Sequence, residues 1–145
     1  MAAPTRNDRS PDLDIVVLAC ALSAGVHAGL VPEHMHESPL LGVSFVVAAV
    51  LAALLAFALP RVRGSVLLPA AAAVLLGGLI VAYGLSRVNG LPLLGAEQEA
   101  LDPLGVATKA IELAGLVCAV RLITEPMRSA GGSRTGRPIR EVRSR

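Results

Sequence analysis

Four long apolar runs, separated by short polar segments, constrain the fold of this chain more than any other feature. The runs cover about residues 13–31, 40–59, 66–85 and 104–123. A helix of about 20 apolar residues spans the roughly 30 Å hydrocarbon core of a bilayer, and apolar residues make up 54% of this chain. Most of the runs lack the polar face that a surface helix of a soluble protein shows. We therefore predict an all-α fold, a four-helix transmembrane bundle over residues 13–125.

The placement of charge predicts how this bundle sits in its membrane. Basic residues concentrate before the first run, between the second and third runs, and after the fourth run. The two remaining links contain one basic residue, Arg87, and the acidic residues Glu33, Glu37, Glu97, Glu99 and Asp102. Because basic segments of multi-pass proteins stay on the cytoplasmic side, we predict that both termini are cytoplasmic. We expect a multi-pass protein of the bacterial cytoplasmic (inner) membrane, in contact with the lipid bilayer.

The two ends of the chain are polar and are predicted to be disordered. Residues 1–12 contain two prolines, and residues 126–145 are rich in Arg, Ser and Gly. Segments of this composition do not bury enough apolar surface to fold, and the arginines indicate attraction to anionic lipid rather than to nucleic acid. The sequence shows no phosphate-binding glycine loop, no nucleophile elbow and no CxxC pair. No catalytic residue is predicted, and nothing indicates an enzyme.

The first run has two different faces. A ridge of small residues on one face consists of Ala21, Gly25 and Gly29. Such a ridge lets another transmembrane helix approach closely, so we predict a homo- or hetero-oligomer contact there. Cys20, Ser23 and His27 fall on roughly the opposite side, which is mildly polar. Pro32 is expected to stop or bend the helix shortly after His27.

Two further segments predict how the helices are joined. The short turn over residues 60–64, Pro-Arg-Val-Arg-Gly, indicates that the second and third runs are antiparallel neighbours. Asp102 and Pro103 are placed as the N-cap and the first residue of the fourth helix. Both features agree with a compact bundle that has short connections.

The stretch from residue 27 to residue 37 concentrates side chains that bind metal ions. It contains His27, Glu33, His34, Met35, His36 and Glu37. Imidazole suits copper and zinc, and a thioether adds a preference for copper(I). The alternating His34 and His36 would point apart in an extended link, so only a turn would bring them together. We predict a copper or zinc site formed by His27, His34 and His36 with Glu33 or Glu37; the alternative is a solvated polar linker.

The fourth run carries a second candidate, the intramembrane pair Lys109 and Glu112. Residues three apart share a helix face, and ionisable side chains inside a span are costly, so they usually pair or line a path. The pair is interpreted either as a structural ion pair or as part of a proton or ion relay. Since His27 lies at a similar depth in the first run, we hypothesise that the first and fourth helices adjoin and that their polar faces meet.

Three segments resemble parts of small four-helix integral membrane proteins of unknown function from bacteria, especially actinobacteria. The first is the run His27-Ala-Gly-Leu-Val-Pro-Glu-His-Met-His-Glu37, the pattern H-x-G-L-x-P-E-H-x-x-E, with its continuation to Phe45. The later two are Gly-Leu-Pro at 90–92 and the run at 102–112. The resemblance implies a fold and a membrane location, with no activity attached to it.

Three classes of function follow from these residues. The leading hypothesis is a membrane protein that binds a metal ion on its extracytoplasmic face. The second is a non-catalytic accessory or structural subunit of a membrane complex, which uses the small-residue ridge as its contact. The third is a proton-coupled carrier that uses Glu112 and Lys109, for which four helices are few unless the protein oligomerises.

Overall fold

The computed structural model is all-helical over the residues that it describes, which are 10–62, 65–88 and 102–132, with side chains described as far as residue 124 in the last range. The four helices are α1 Pro11–Glu37, α2 Pro39–Ala58, α3 Leu67–Val88 and α4 Pro103–Gly132. No strand occurs in these ranges. The predicted all-α class with four helices is therefore confirmed.

The outer surface of the bundle is apolar. Helices α1, α2 and α3 are long and apolar enough to cross a membrane, with mean hydropathies of 2.0, 2.7 and 2.0 over their most apolar 18 residues. Only 17% to 33% of those residues are buried inside the bundle, so most of the side chains face outward. Leu54 and Val74, for example, are 59% and 77% exposed. An apolar surface this extensive marks contact with a membrane or a partner.

The first helix is longer than the sequence indicated. It begins at Pro11, where the Ser10 hydroxyl accepts a hydrogen bond from the backbone N–H of Leu13, and it continues through Pro32 to Glu37. Of the two effects expected of Pro32, a stop or a bend, the stop is wrong. A proline inside a helix removes one backbone hydrogen bond, and the five residues that follow it, 33–37, stay helical where α1 packs on α2.

The polar link expected between the first two helices is therefore helix instead. Only Ser38 separates α1 from α2; its backbone N–H donates to the carbonyl of His34 at 2.9 Å, and its hydroxyl accepts from Leu41 N at 3.5 Å. At the hairpin, a Cβ added to Gly42 would lie 2.7 Å from Met35 Cα. Glycine at this position thus lets the two helices approach closely just beyond Pro32.

The helices pack in a ring in which each contacts the next, but unevenly. Helix α1 packs extensively on α2 and α4, and α3 packs on α4, whereas α2 and α3 make few contacts. The second and third helices, predicted to be antiparallel neighbours, thus pack against each other over only a small area despite their short connection. The main apolar core includes Val16, Cys20, Leu76 and Ala119 from α1, α3 and α4, together with Leu59 directly after α2.

A glycine sets the distance between α1 and α4. A Cβ at Gly115 would lie 2.5 Å from Ala19 Cβ and 3.0 Å from Leu76 Cδ1.

Helix α4 continues to Gly132, past the expected start of the tail at 126. Residues 1–9, 89–101 and 133–145, which include the rest of both expected tails and the segment with Glu97 and Glu99, lie outside the described residues.

Candidate functional site

A buried carboxylate joins the polar faces of α1 and α4. Glu112 is fully buried. The Ser23 hydroxyl donates to Glu112 Oε1 at 2.7 Å, and Lys109 Nζ donates to Oε2 at 2.6 Å. Both carboxylate oxygens therefore have a partner, as a buried charge requires. The hypothesis that the first and fourth helices adjoin, with their polar faces in contact, agrees with this geometry.

His27 belongs to the same cluster but reaches Glu112 only through Ser23. Its Nδ1 lies 2.8 Å from the backbone oxygen of Ser23 and 3.3 Å from the Ser23 hydroxyl oxygen. Since a carbonyl only accepts, Nδ1 carries the proton and donates. We call Ser23, His27, Lys109 and Glu112 the buried network.

Ser23 is the member of the buried network that was not predicted as a site residue. Its position on the polar face of the first run was visible in the sequence, four residues before His27. A serine in a transmembrane helix usually satisfies its hydroxyl on its own backbone, so the sequence alone does not indicate a bond to another helix. The signal that could have found it is the combination of a buried carboxylate and a serine at similar depth.

The residues expected to bind metal are spread around the end of α1. His34 donates from Nδ1 to the carbonyl of Leu30 at 2.9 Å and stacks on Phe45, with ring centroids 4.0 Å apart. Residues two apart on a helix face nearly opposite directions, so His36 is exposed on the other side. Glu33 and Glu37 are also exposed.

No compact ligand set results from this arrangement. Within the described residues, no three His, Cys, Asp or Glu side chains lie close enough together to hold a metal ion. What the structure does bring together is His27 and His34, which both pack against Phe45; the His27 and Phe45 centroids are 5.3 Å apart. Metal binding by His27, Glu33, His34, His36 and Glu37 stays a prediction.

A cavity of about 670 Å³ lies between the α1–α2 hairpin and the α3–α4 pair. We call it the central cavity. Its apolar wall includes Val26, Leu30, Leu41, Phe45, Ala48, Leu79, Ala82 and Leu104. Its polar lining includes Glu33, Glu37, His27, His34, Ser44, Tyr83, Ser86, Arg87, Asp102, Thr108 and Lys109. The lining is drawn from all four helices; His27 and Lys109 of the buried network belong to it, whereas Ser23 and Glu112 do not.

The start of α4 contributes an ion pair to the cavity wall. Asp102 Oδ1 accepts from the backbone N–H of Gly105 at 2.6 Å, which is the N-cap that the sequence predicts, and Asp102 Oδ2 pairs with Arg87 at 3.0 Å. The Arg87 guanidinium lies 4.5 Å from the Tyr83 ring centroid. A Cβ at Gly105 would lie 2.9 Å from the Tyr83 hydroxyl, so this glycine makes room for the phenol.

The small-residue ridge of α1 faces away from the bundle. Ala21, Gly25 and Gly29 are exposed, and a Cβ at either glycine would have no neighbour within 4 Å. The ridge is therefore not used for packing within this part of the chain. Its predicted use in a homo- or hetero-oligomer stays a prediction.

Comparison of the chain with protein-family models, with curated proteins and with solved structures found no match. The resemblance of residues 27–45 to small actinobacterial membrane proteins therefore stays a prediction. The central cavity and the buried network are the features of the molecule from which a function can be argued.

Proposed function

We propose that this chain is a small multi-pass membrane protein that binds a small molecule in the central cavity. One observation carries the proposal: a cavity of about 670 Å³ lined by all four helices. Ligand sites typically occupy about 300–1,000 Å³ and combine a mainly apolar wall with a few placed polar groups. The lining has this character, with leucines and Phe45 on its wall and Ser44, Thr108 and Lys109 among its polar groups.

In this proposal α4 is the fourth span, and both termini are cytoplasmic in a bacterial inner membrane. The charges of α4 favour this reading because Lys109 and Glu112 neutralise each other at 2.6 Å, which lowers the cost of placing them in a bilayer. The basic segments before α1, after α2 and after α4 support the orientation. The central cavity then lies in the extracytoplasmic half of the bundle.

The buried network fixes the position of two lining residues of the site, His27 and Lys109. Each oxygen of Glu112 is held by a donor from a different helix, Ser23 from α1 and Lys109 from α4. A satisfied network of this kind specifies one helix arrangement. A proton-coupled carrier, the weaker alternative, would require Glu112 to exchange these partners during a transport cycle.

Metal binding remains a second candidate because of one observation on the two inward histidines. His27 and His34 each donate from Nδ1 to a carbonyl of their own helix. Metal-bound histidines commonly make this bond from the nitrogen that does not bind the metal. Metal analysis of the purified protein tests this reading. A stoichiometric copper or zinc content that disappears in a His27→Ala, His34→Ala variant supports it, and no bound metal in the parent protein contradicts it.

The rival function is that of an accessory subunit which binds a partner helix through the exposed ridge of Ala21, Gly25 and Gly29. A partner that co-purifies from native membranes and is lost in a Gly25→Leu variant supports this function. The central cavity is not needed for such a role, so cavity-filling substitutions separate the two functions.

Tyr83 provides a direct test of ligand binding in the cavity. It is the only tyrosine of a chain without tryptophan, and it lines the central cavity, so intrinsic fluorescence of the detergent-purified protein reports on this site. We expect 1-bromoadamantane, a compact uncharged molecule with a heavy-atom quencher, to quench this emission saturably. Quenching by probe that is merely dissolved in the micelle increases linearly and does not saturate.

Matched variants on one helix provide the control. Ala48 lines the cavity from α2, whereas Ala53 is exposed and does not. Ala48→Phe should abolish saturable quenching, and Ala53→Phe should preserve it. Ala82→Phe fills the same cavity from α3. It should also abolish saturable quenching, and so tests the proposal independently if Ala48→Phe misfolds. Linear quenching in the parent protein, or equal saturation in all variants, would contradict the proposal.

A further inference from the structure

The basic side chains that line the central cavity are already neutralised. Lys109 pairs with Glu112 at 2.6 Å, and Arg87 pairs with Asp102 at 3.0 Å. Neither therefore offers an uncompensated positive charge to a ligand. An anionic ligand would have to displace a carboxylate from one of them, and for Lys109 this would leave the fully buried Glu112 without its counter-ion.

Two acidic side chains of the lining lack such compensation. Glu33 and Glu37 are one helical turn apart on α1 and both line the central cavity. They are exposed, and neither forms an ion pair with any residue that the structure describes. Since side chains four apart lie on one helix face, the two carboxylates form an acidic rim above the apolar wall.

The described helices offer no further lysine or arginine as a counter-charge near this acidic rim. The segment that joins α3 to α4, residues 89–101, contains Glu97 and Glu99 and no basic residue. Of the other arginines, the structure describes the side chains of Arg61, which follows α2, and Arg121, near the end of α4. Because the helices alternate in direction, both lie at the end of the bundle opposite Glu37. The end that holds the cavity therefore carries excess negative charge.

The size and wall of the cavity indicate what kind of cation would match it. A metal ion or a small ammonium ion would leave most of about 670 Å³ unfilled. The apolar wall includes Val26, Leu30, Leu79 and Leu104, and burial of these side chains against an apolar body is favourable. The complementary molecule carries a positive charge on a bulky hydrophobic skeleton.

We propose that the ligand class of the central cavity is a lipophilic organic cation, whose apolar body contacts the leucine-rich wall and whose charge is attracted by Glu33 and Glu37. This inference rests on the function proposed above, since it assumes that the cavity binds a small molecule. It adds the charge and the apolar character of that molecule. It also assigns to the two glutamates a role in ligand selection that does not require a bound metal.

Two probes of the same shape and opposite charge test the inference. Tetraphenylphosphonium and tetraphenylborate each carry four phenyl groups around a central atom, as cation and anion. We expect isothermal titration calorimetry of the purified protein in a nonionic detergent to show saturable binding of tetraphenylphosphonium. Tetraphenylborate should bind at least about tenfold more weakly, since charge reversal changes the sign of the interaction with the acidic rim.

Variants of the acidic rim identify the side chains responsible. The double variant Glu33→Gln, Glu37→Gln should weaken tetraphenylphosphonium binding by roughly fivefold to tenfold, as the loss of two solvent-exposed charges implies. The matched control is Asp14→Asn, which removes an exposed carboxylate at the other end of α1 and should leave the affinity unchanged. Saturable quenching of Tyr83 by 1-bromoadamantane should be the same in all three proteins.

The outcomes separate this inference from the function on which it rests. Equal binding of the two probes, or an affinity for the cation that does not respond to the double variant, overturns the inference. Displacement of tetraphenylphosphonium by micromolar Zn²⁺ also overturns it, because the rim would then be a metal site. If 1-bromoadamantane still binds in these cases, the cavity remains a ligand site; if it does not, the proposed function fails as well.

Discussion

At the scale of single residues, the burial of Glu112 depends most on the side chains around it. A carboxylate that is fully buried loses its hydration, and this cost is offset only if both oxygens are bonded and the charge is paired. Ser23 and Lys109 provide those bonds at 2.7 and 2.6 Å. Removal of Lys109 leaves the buried carboxylate without its counter-ion, whereas removal of Lys109 and Glu112 together leaves no buried charge.

A double-mutant cycle on the Lys109–Glu112 pair tests this reading. We expect Lys109→Met to lower the free energy of unfolding by about 3 kcal/mol, since the substitution strands a buried carboxylate. Glu112→Leu, which leaves Lys109 without its counter-ion, should also destabilise the protein. The double variant should recover most of the loss, because it replaces the pair by apolar groups.

Unfolding in mixed micelles of increasing SDS fraction measures these differences. Arg61→Met is the control for loss of a cation, because Arg61 is exposed at the opposite end of the bundle, and it should change the stability little. Additive effects of the two single substitutions at Lys109 and Glu112 would show that the pair is not coupled. In that case Lys109 would not be the counter-ion that offsets the burial of Glu112.

At the scale of helices, the sequence predicted which segments are helical better than where the helices end. The apolar runs identified all four, because long, mainly apolar runs have few alternatives to a helix. The end of α1 was misplaced at Pro32 because the sequence reveals the hydrogen bond that a proline removes. It does not reveal the contact of Met35 with Gly42, which depends on how α2 packs against α1. The weak contact between α2 and α3 was likewise hidden, since a short connection fixes only the ends of two helices.

Glycines at helix contacts provide a prediction at this scale. Gly115→Ala should destabilise the protein by about 1–3 kcal/mol, the usual cost of overpacking, because the new Cβ would lie 2.5 Å from Ala19 Cβ. Gly78→Ala on α3 is the matched control, since nothing lies within 4 Å of a Cβ there. This control should leave stability unchanged or raise it by up to about 1 kcal/mol, because alanine favours a helix over glycine.

The same SDS unfolding measurement compares the two variants. The informative quantity is the difference in sign, since both substitutions add one methyl group within a helix. Equal effects at Gly115 and Gly78 would show that α1 and α4 do not approach as closely as the core packing requires. A specific loss at Gly115 would support both the helix arrangement and the position of Glu112 one turn away on the same helix.

At the scale of the whole molecule, the candidate site is only partly visible in the sequence. The similar depth of His27, Lys109 and Glu112 in the bundle could be predicted, because helix periodicity and the position of each apolar run follow from the sequence. The central cavity could not, since its lining comes from all four helices and its volume depends on side chains at several interfaces together. That His34 and His36 point in opposite directions follows from the helical conformation of their segment. The sequence analysis had treated that segment as a link, in which a turn could bring the two side chains together.

The orientation of the molecule in its membrane is the prediction that decides which compartment the central cavity faces. After replacement of both buried cysteines by alanine, single cysteines are introduced at exposed positions, Glu37→Cys at the end of α1 and Val62→Cys after α2. Because basic segments stay in the cytoplasm, a membrane-impermeant maleimide should label Glu37→Cys in intact cells and Val62→Cys only in inside-out vesicles. Pro103→Cys, at the exposed start of α4, should behave like Glu37→Cys. The reverse pattern would place the acidic rim in the cytoplasm, and labelling of Glu37→Cys and Val62→Cys from the same side would contradict a membrane crossing by α2.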